Sequence, residues 1–426
     1  MAKPQGINAI DIGSGKITCL MTLPSQEEDK INVVGVATLP SRGIRRGQIV
    51  NIDQAIESIS DCVEAAERMA GFSIPSALIS ISGDHIKSQN SQGVVAITEP
   101  EGEITQEDIE RVVKAARAVS LPSSREIVHV LPREFKVDSQ KGISAPVGMS
   151  GVRLETDAHL ITGSSTAIRN ITKCVNDIGI KVDTLVFSGL ASSYAVLSET
   201  EKELGIALVD IGAGVTNLSL FVEGSCSYSA VIPVGAKKVT DDLAIGLMVG
   251  LDSAEKIKHH LSQPTKVVGA DIKNNDEINL ARLGIKEDVK NVSKRALVEG
   301  IMRPRLNEIF SLVASAIKKS HFAGSIPAGI VLTGGGSLTS SAIESCKRVI
   351  QLNARLGIPS GLSGLTEEID SPAYSTAVGL ILYGYHRHHL SSSGPLPGVK
   401  IGKILNKLPF GDASKKITGF IKSFLP

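Results

Sequence analysis

The chain has no tryptophan, and aromatic residues make up only 3% of its 426 positions. A surface for unpaired bases needs exposed rings beside cations, so this composition excludes a nucleic-acid stacking platform. The 5 cysteines, Cys19, Cys62, Cys174, Cys226 and Cys346, are scattered, odd in number and form no CxxC pair. They exclude a disulfide framework and read as reduced thiols. No apolar run reaches the roughly eighteen residues of a spanning helix. The opening MAKPQG runs straight into a strand and does not read as a signal peptide, so the body is expected to be soluble and intracellular.

What is present is glycine, 41 residues of it, in a chain that is 42% hydrophobic and 21% charged. That is ordinary for a globular protein, and the length suits two or three domains. Net charge is +1 but unevenly spread. From His386 onward six lysines and one arginine face a single Asp412, giving +6, so residues 1–385 carry 1 − 6 = −5. A basic tail on an acidic body suggests an anionic partner for the tail alone.

The stretch Leu208 to Phe221, LVDIGAGVTNLSLF, reads as two antiparallel strands joined by a small-residue turn. Backbone N–H groups at such a tip, next to the Thr216 hydroxyl, make a concave donor cluster suited to phosphate. Asp210 cannot touch an anion directly, but it can hold a hydrated Mg²⁺ that bridges to one. Ala9 to Met21, AIDIGSGKITCLM, repeats the design 199 positions earlier, counted from Asp11 to Asp210. Two similar halves, each opening on a phosphate hairpin, follow from that repeat. A third element, Gly329 to Ser337, runs a buried strand into Gly334, Gly335 and Gly336, a bare shelf for something flat. Ser337, Thr339 and Ser340 are expected to cap a helix over 341–353.

Three such elements in this order resemble the actin, hexokinase and heat-shock chaperone superfamily of ATP-binding folds. The expected fold is α/β and two-lobed, with duplicated ribonuclease H-like lobes. Strands over 7–21 and 31–39, a hairpin loop over 25–30, a helix over 51–70 ended by Gly71, and a strand over 77–82 open the first lobe. Residues 84–162 break that rhythm and read as an inserted α/β subdomain. Its strands lie near 94–97 and 128–137, with a helix from Thr105 to Ala118, and its surface is free to bind other proteins. Helices are expected over 164–178, 189–199, 237–250 and 253–261, a strand over 180–187, and a long helix over 292–319 interrupted or tightened near Pro304. Glu255 and Lys258 share one face, either as an ion pair or as a clamp on adenosine. A last helix over 374–386 ends at His386, His388 and His389, read as a solvated helix end rather than a metal site.

Beyond a flexible linker, apolar residues return at Ile401, Ile404, Leu405 and Leu408, and again at Ile417, Phe420, Ile421, Phe424 and Leu425. With Lys415, Lys416 and Lys422 on other positions, this is the pattern of a basic amphipathic helix on an anionic membrane surface. Five apolar side chains at about 1 kcal/mol each give weak attachment from one copy. Useful binding therefore needs many tails presented together, as on a polymer.

Gly47-Gln48-Ile49-Val50-Asn51-Ile52, Ile81-Ser82-Gly83-Asp84-His85-Ile86, Arg125 to Phe135 (REIVHVLPREF) and Pro146 to Gly151 together with this tail resemble the FtsA family of bacterial cell-division proteins. These are actin homologues that tether FtsZ filaments to the inner membrane. The resemblance implies Ser14, Gly15 and Lys16 as the first phosphate loop, and Gly212, Ala213, Gly214, Thr216 and Asn217 as the second. It implies Asp11 and Asp210 as holders of Mg²⁺ through water, Gly334, Gly335, Gly336 and Ser337 as the adenosine pocket, and Glu255 with Lys258 beside base and ribose. It implies an FtsZ-tail site within 230–310, with Lys294, Arg295 and Met302 as candidates. Its subdomains would be 1A (1–83, 163–199 and part of 370–386), 1C (84–162), 2A (200–230 and 305–385) and 2B (231–304), then a linker (387–399) and the tail (400–426).

Implied partners are the FtsZ tail, other copies in filaments, later division proteins on 84–162 and the cytoplasmic face of the inner membrane at the division site. No Gln or Glu stands in Val186 to Leu190 to orient water, so slow or negligible ATP turnover is expected. The alternatives are a sugar or acetate kinase of the same fold and a relative of the PilM-type pilus-assembly ATPases.

Overall fold

The computed structural model describes residues 6–24, 31–98, 102–263, 276–285, 287 and 292–392. The expected loop over 25–30, the tail with its lysines and apolar residues, and the linker beyond Ser392 lie outside these residues.

Two sheets share one topology. In the first, Lys181–Phe187, Ser76–Ile81, Asn8–Ile12, Lys16–Pro24 and Ile31–Pro40 lie side by side, with the short Ser363–Gly364 at the far edge. In the second the order is Ala354–Leu356, Ile330–Thr333, Ile206–Ile211, Thr216–Val222 and Ser225–Ile232. Each central strand pairs antiparallel with its hairpin partner and parallel with the strand on its other side. The register is matched too: Asp11 stands opposite Thr18, and Asp210 opposite Asn217. The central strands are buried on both faces, which is why they read as continuous apolar runs rather than alternating ones.

Helix Ile52–Ala70 covers the first sheet, with Asn51 accepting from the Gln54 amide at its start and Gly71 in the left-handed region at its end. Helices Ser188–Val196 and Ser375–Ser392 pack between the two sheets, so Ala191, Ala195, Val378 and Ile381 share a core with Ala9 and Leu78 of one sheet and Leu208 and Val331 of the other. The last helix runs past His386 to Ser392, through the start of the expected linker.

Between the halves of the first sheet the chain forms a separate four-stranded sheet in the order Lys87–Ala96, Arg153–Ser164, Arg125–Val137, Gln140–Ile143, covered by helix Gln106–Arg117. Thr105 and Asp108 cap that helix reciprocally, as the sequence suggests. Strand Arg153–Ser164 went unread in the sequence, because only part of its burial alternates. This subdomain is not free on all sides. Ser88 Oγ donates to the Ser229 carbonyl (2.7 Å), Arg133 Nε donates to Ser227 Oγ (2.9 Å), and His159 Nε2 lies 3.1 Å from Ser229 Oγ. Its expected partner-binding surface is therefore narrower than the whole, since one side is joined to strand Ser225–Ile232 of the second lobe.

The long helix is interrupted just before Pro304, as expected, but by a widened turn rather than a tightened one. Lys294–Leu297 is α-helical, Val298–Met302 forms a π-turn, and Arg303–Lys319 resumes α-geometry with Pro304 in its first turn, where the missing N–H costs least.

Candidate nucleotide site between the two hairpins

The two glycine bends are built alike and meet tip to tip. Gly13 N donates to the Lys16 carbonyl (3.1 Å) and Gly212 N to the Val215 carbonyl (2.9 Å). A methyl group added at Gly15 would lie 2.7 Å from Ala213 Cβ, and one at Gly214 would lie 2.8 Å from Ser14 Oγ. Only glycine allows this approach. Ser14 Oγ also accepts from Gly47 N (2.8 Å), so the small hairpin Ile44–Arg45/Gln48–Ile49 closes over both tips.

Behind the tips the two aspartates differ in setting. Asp210 is 5% exposed and takes hydrogen bonds on Oδ2 from Ser192 Oγ (3.2 Å), Thr376 Oγ1 (3.3 Å) and Asn217 Nδ2 (3.4 Å). Burial, then the nearby Asp11 charge, push its pKa up to about 6, against the pull of those donors. Asp11 is half-buried and accepts from Ser80 Oγ (2.7 Å). Burial raises its pKa as well, while Ser80 and Lys16 act the other way. Two acidic groups repelling each other inside one cleft fit a hydrated divalent cation, which would favour both ionised forms at once. No cluster of three or more His, Cys, Asp or Glu side chains able to hold a metal directly occurs among the described residues.

Several candidate residues have other tasks. Thr216 is fully buried and its hydroxyl donates to the Val234 carbonyl (2.8 Å), so that hydroxyl is not free for phosphate. Asn217 accepts from Ser82 Oγ across the lobes. Of the three shelf glycines only Gly335 is exposed. A Cβ on Gly334 would strike Asp210 Oδ1 at 2.2 Å, and one on Gly336 would strike Ile211 Cγ2 at 2.4 Å, so both are small in order to pack against the second bend. Ser337 is buried and donates to the Gly334 carbonyl (2.7 Å). The expected caps do not form: the helix is Ala342–Ile350, and its N-cap Ser341 makes no side-chain capping bond.

Glu255 and Lys258 do pair, at 2.7 Å, and both touch the Thr240 hydroxyl, with Lys258 Nζ to Thr240 Oγ1 at 2.9 Å. The Ser262 hydroxyl, at the end of the same helix, accepts from Ser340 N (3.1 Å) and so ties that helix to the glycine shelf. Among the FtsZ-site candidates, Arg295 is exposed and Lys294 half-exposed, but Met302 is 0% exposed. Met302 is a core residue of the second lobe and is not available as a contact residue.

Sequence reading missed Ser80, Ser192, Thr240, Tyr374 and Thr376. The signal for the last two lay in Ser371 to Thr376, SPAYST, whose capping serine and proline mark a helix start facing Gly334: Gly334 N donates to the Pro372 carbonyl (3.0 Å).

Comparison with known proteins places this geometry. Residues 83–162 match the family model "SHS2 domain inserted in FTSA", and residues 207–379 match "Cell division protein FtsA". The FtsA of Pseudomonas aeruginosa is 39% identical over 411 residues, covering 96% of both chains. That of Escherichia coli is 36% identical over 389 residues, covering 89% of this chain and 90% of its own. Among solved structures, the PilM-PilN type IV pilus biogenesis complex aligns with TM-score 0.63 at 15% identity, covering 89% of this chain and 98% of that one. MreB5 of Spiroplasma citri bound to ADP aligns with TM-score 0.51 at 12% identity, covering 92% and 99%. At such identities these structures show a shared fold, the actin-like one, and nothing finer.

Proposed function

The chain belongs to the FtsA family of cell-division proteins, and from that premise we propose that it is an ATP-binding scaffold that tethers FtsZ filaments to a membrane. The observation carrying the nucleotide part is the pair of glycine bends meeting tip to tip over Asp11 and Asp210. Amides of Ser14, Gly15, Lys16 and of Ala213 and Gly214 would take the phosphates, with Gly212 shaping the bend through its own bond to Val215, and the two aspartates would hold hydrated Mg²⁺. Glu255 and Lys258 would flank base and ribose, with Gly335 as the bare edge of the pocket. Bound Mg²⁺ would supply charge neutralisation for the triphosphate, and the chain's own residues would position it. Slow or negligible turnover is expected, with ATP acting as a ligand that favours a filament-forming state.

Exposed Arg295 and half-exposed Lys294 are the contact residues proposed for the FtsZ tail. The tail residues Lys415, Lys416, Ile417, Phe420, Ile421, Lys422, Phe424 and Leu425 would lie on anionic lipid at the cytoplasmic face of the inner membrane. No helix among the described residues is long and apolar enough to cross a membrane, so attachment of the described body would be peripheral. Mg-ATP titration of the wild-type chain and Asp210→Ala tests the site: retained tight binding in the variant contradicts the assignment. Flotation with anionic vesicles, comparing the full chain with one ending at His389, tests the anchor. Equal flotation of both defeats it.

A further inference from the structure

Lys16 and Tyr374 come from opposite ends of the chain and meet at the site. Lys16 Nζ lies 3.7 Å from the centroid of the Tyr374 ring. Lys16 closes the first glycine bend through its own carbonyl, and its ammonium is half-buried beside Asp11. Tyr374 ends the short turn Pro372–Tyr374. The residues around it are already committed to the second bend, with the Pro372 carbonyl accepting from Gly334 and Thr376 donating to Asp210. The ring therefore stands where the two lobes join.

A lysine stem has four flexible carbons, and an unrestrained ammonium spends little of its time at any one point. The face of an aromatic ring attracts a cation and confines it without neutralising its charge. A carboxylate would confine it too, but would compete with phosphate for it. We propose that Tyr374 is the positioning residue of Lys16: it seats the ammonium between the bends, ready for the phosphate chain of a nucleotide, and keeps it there as phosphate oxygens arrive. This rests on the nucleotide reading above, and it narrows that reading, because the seat acts on the phosphates and not on the nucleoside.

The absence of tryptophan makes the test direct. Tyr374→Trp introduces a single indole that keeps a ring under Lys16. Titration with Mg-ATP should change its fluorescence, adenosine should not, and adding Lys16→Met should remove the change. A change of equal size with adenosine, or one that survives Lys16→Met, overturns the proposal. In parallel, Tyr374→Leu should weaken ATP affinity about five- to tenfold, the cost of ordering a freely moving ammonium on binding, while leaving adenosine affinity unchanged; Tyr374→Phe should bind as wild type does. Unchanged ATP affinity in Tyr374→Leu, or equal losses in both variants, overturns the seat alone. A wild-type chain that binds no Mg-ATP overturns the seat and the nucleotide reading together.

Discussion

Ser82 donates a 2.5 Å hydrogen bond to Asn217 Oδ1, joining the end of a first-lobe strand to the hairpin that carries the second glycine bend. The other end of the same amide faces Asp210. One side chain thus connects both lobes to the carboxylate expected to hold the cation. Asn217→Ala leaves a half-buried serine and a buried carboxylate each short of a partner, which costs about 1–3 kcal/mol. The expected result is a lower melting temperature together with weaker Mg-ATP binding. Ser82→Ala should lower stability less, since it frees only one acceptor.

Asp210 is held above its ordinary range, at about 6, so the folded chain takes up a proton there more readily than the unfolded chain does. Stability from that group is present at low pH and is lost as pH rises through about 6. Asp210→Asn should therefore stabilise the nucleotide-free protein at pH 7.5, by on the order of 1–3 kcal/mol, with a smaller gain at pH 5.5. The same variant should lose Mg²⁺-dependent ATP binding. Thermal melting at the two pH values, without and with Mg-ATP, reads both effects; a destabilised variant at pH 7.5 contradicts this account.

Gly334 and Gly335 are neighbours with opposite tolerance. Gly334 has φ +80° and no room for a Cβ beside Asp210 and Ile211, whereas the nearest atom to a Cβ on Gly335 is Ala373 Cβ at 3.7 Å. Gly334→Ala should cost more than about 2 kcal/mol and abolish nucleotide binding, through strain and displacement of the carboxylate. Gly335→Ala should change stability by less than about 0.5 kcal/mol. Paired urea melts and ATP titrations make the comparison.

Two buried histidines set the acid limit. His129 Nε2 accepts from Phe187 N (3.0 Å), and burial, then Arg387, lower its pKa to about 4. His159, between Asn90 Oδ1 and Ser229 Oγ, is lowered to about 3 by burial, then Arg133 and His129. Both are neutral when folded, so the stability they contribute is complete above about pH 6.5 and is lost as pH falls towards 4. Each should cost on the order of 1–2 kcal/mol by pH 5. Urea midpoints should fall between pH 7 and pH 5, less steeply in His159→Gln.

The glycine bends were legible because a tight turn leaves a local mark: small residues at fixed distance from an aspartate, bounded by strands. The Thr105 cap and the Gly71 helix end were legible for the same reason. Thr216 was misread because its neighbours in sequence suggest phosphate, while the carbonyl that takes its hydroxyl is that of Val234, 18 residues later and just past strand Ser225–Ile232. Ser192 leaves no local mark, since it meets Asp210 only when helix Ser188–Val196 passes between the sheets, whereas Tyr374 and Thr376 were marked only as a helix start, which says nothing of Lys16 or Asp210. Met302 was a candidate only through the family resemblance, and local sequence does not reveal that its side chain packs into the core of the second lobe.

The seam between the inserted sheet and strand Ser225–Ile232 combines hydroxyls, an imidazole and a guanidinium with an apolar cluster that brings Val128, Leu131 and Ile161 together with Cys226 and Val231. The polar groups find water as a substitute partner if they separate, but the apolar ones do not, so the joint resists parting. Because strand Thr216–Val222 leads from the second glycine bend directly to Ser225–Ile232, a tug at the bend would be felt at that joint after crossing a single strand.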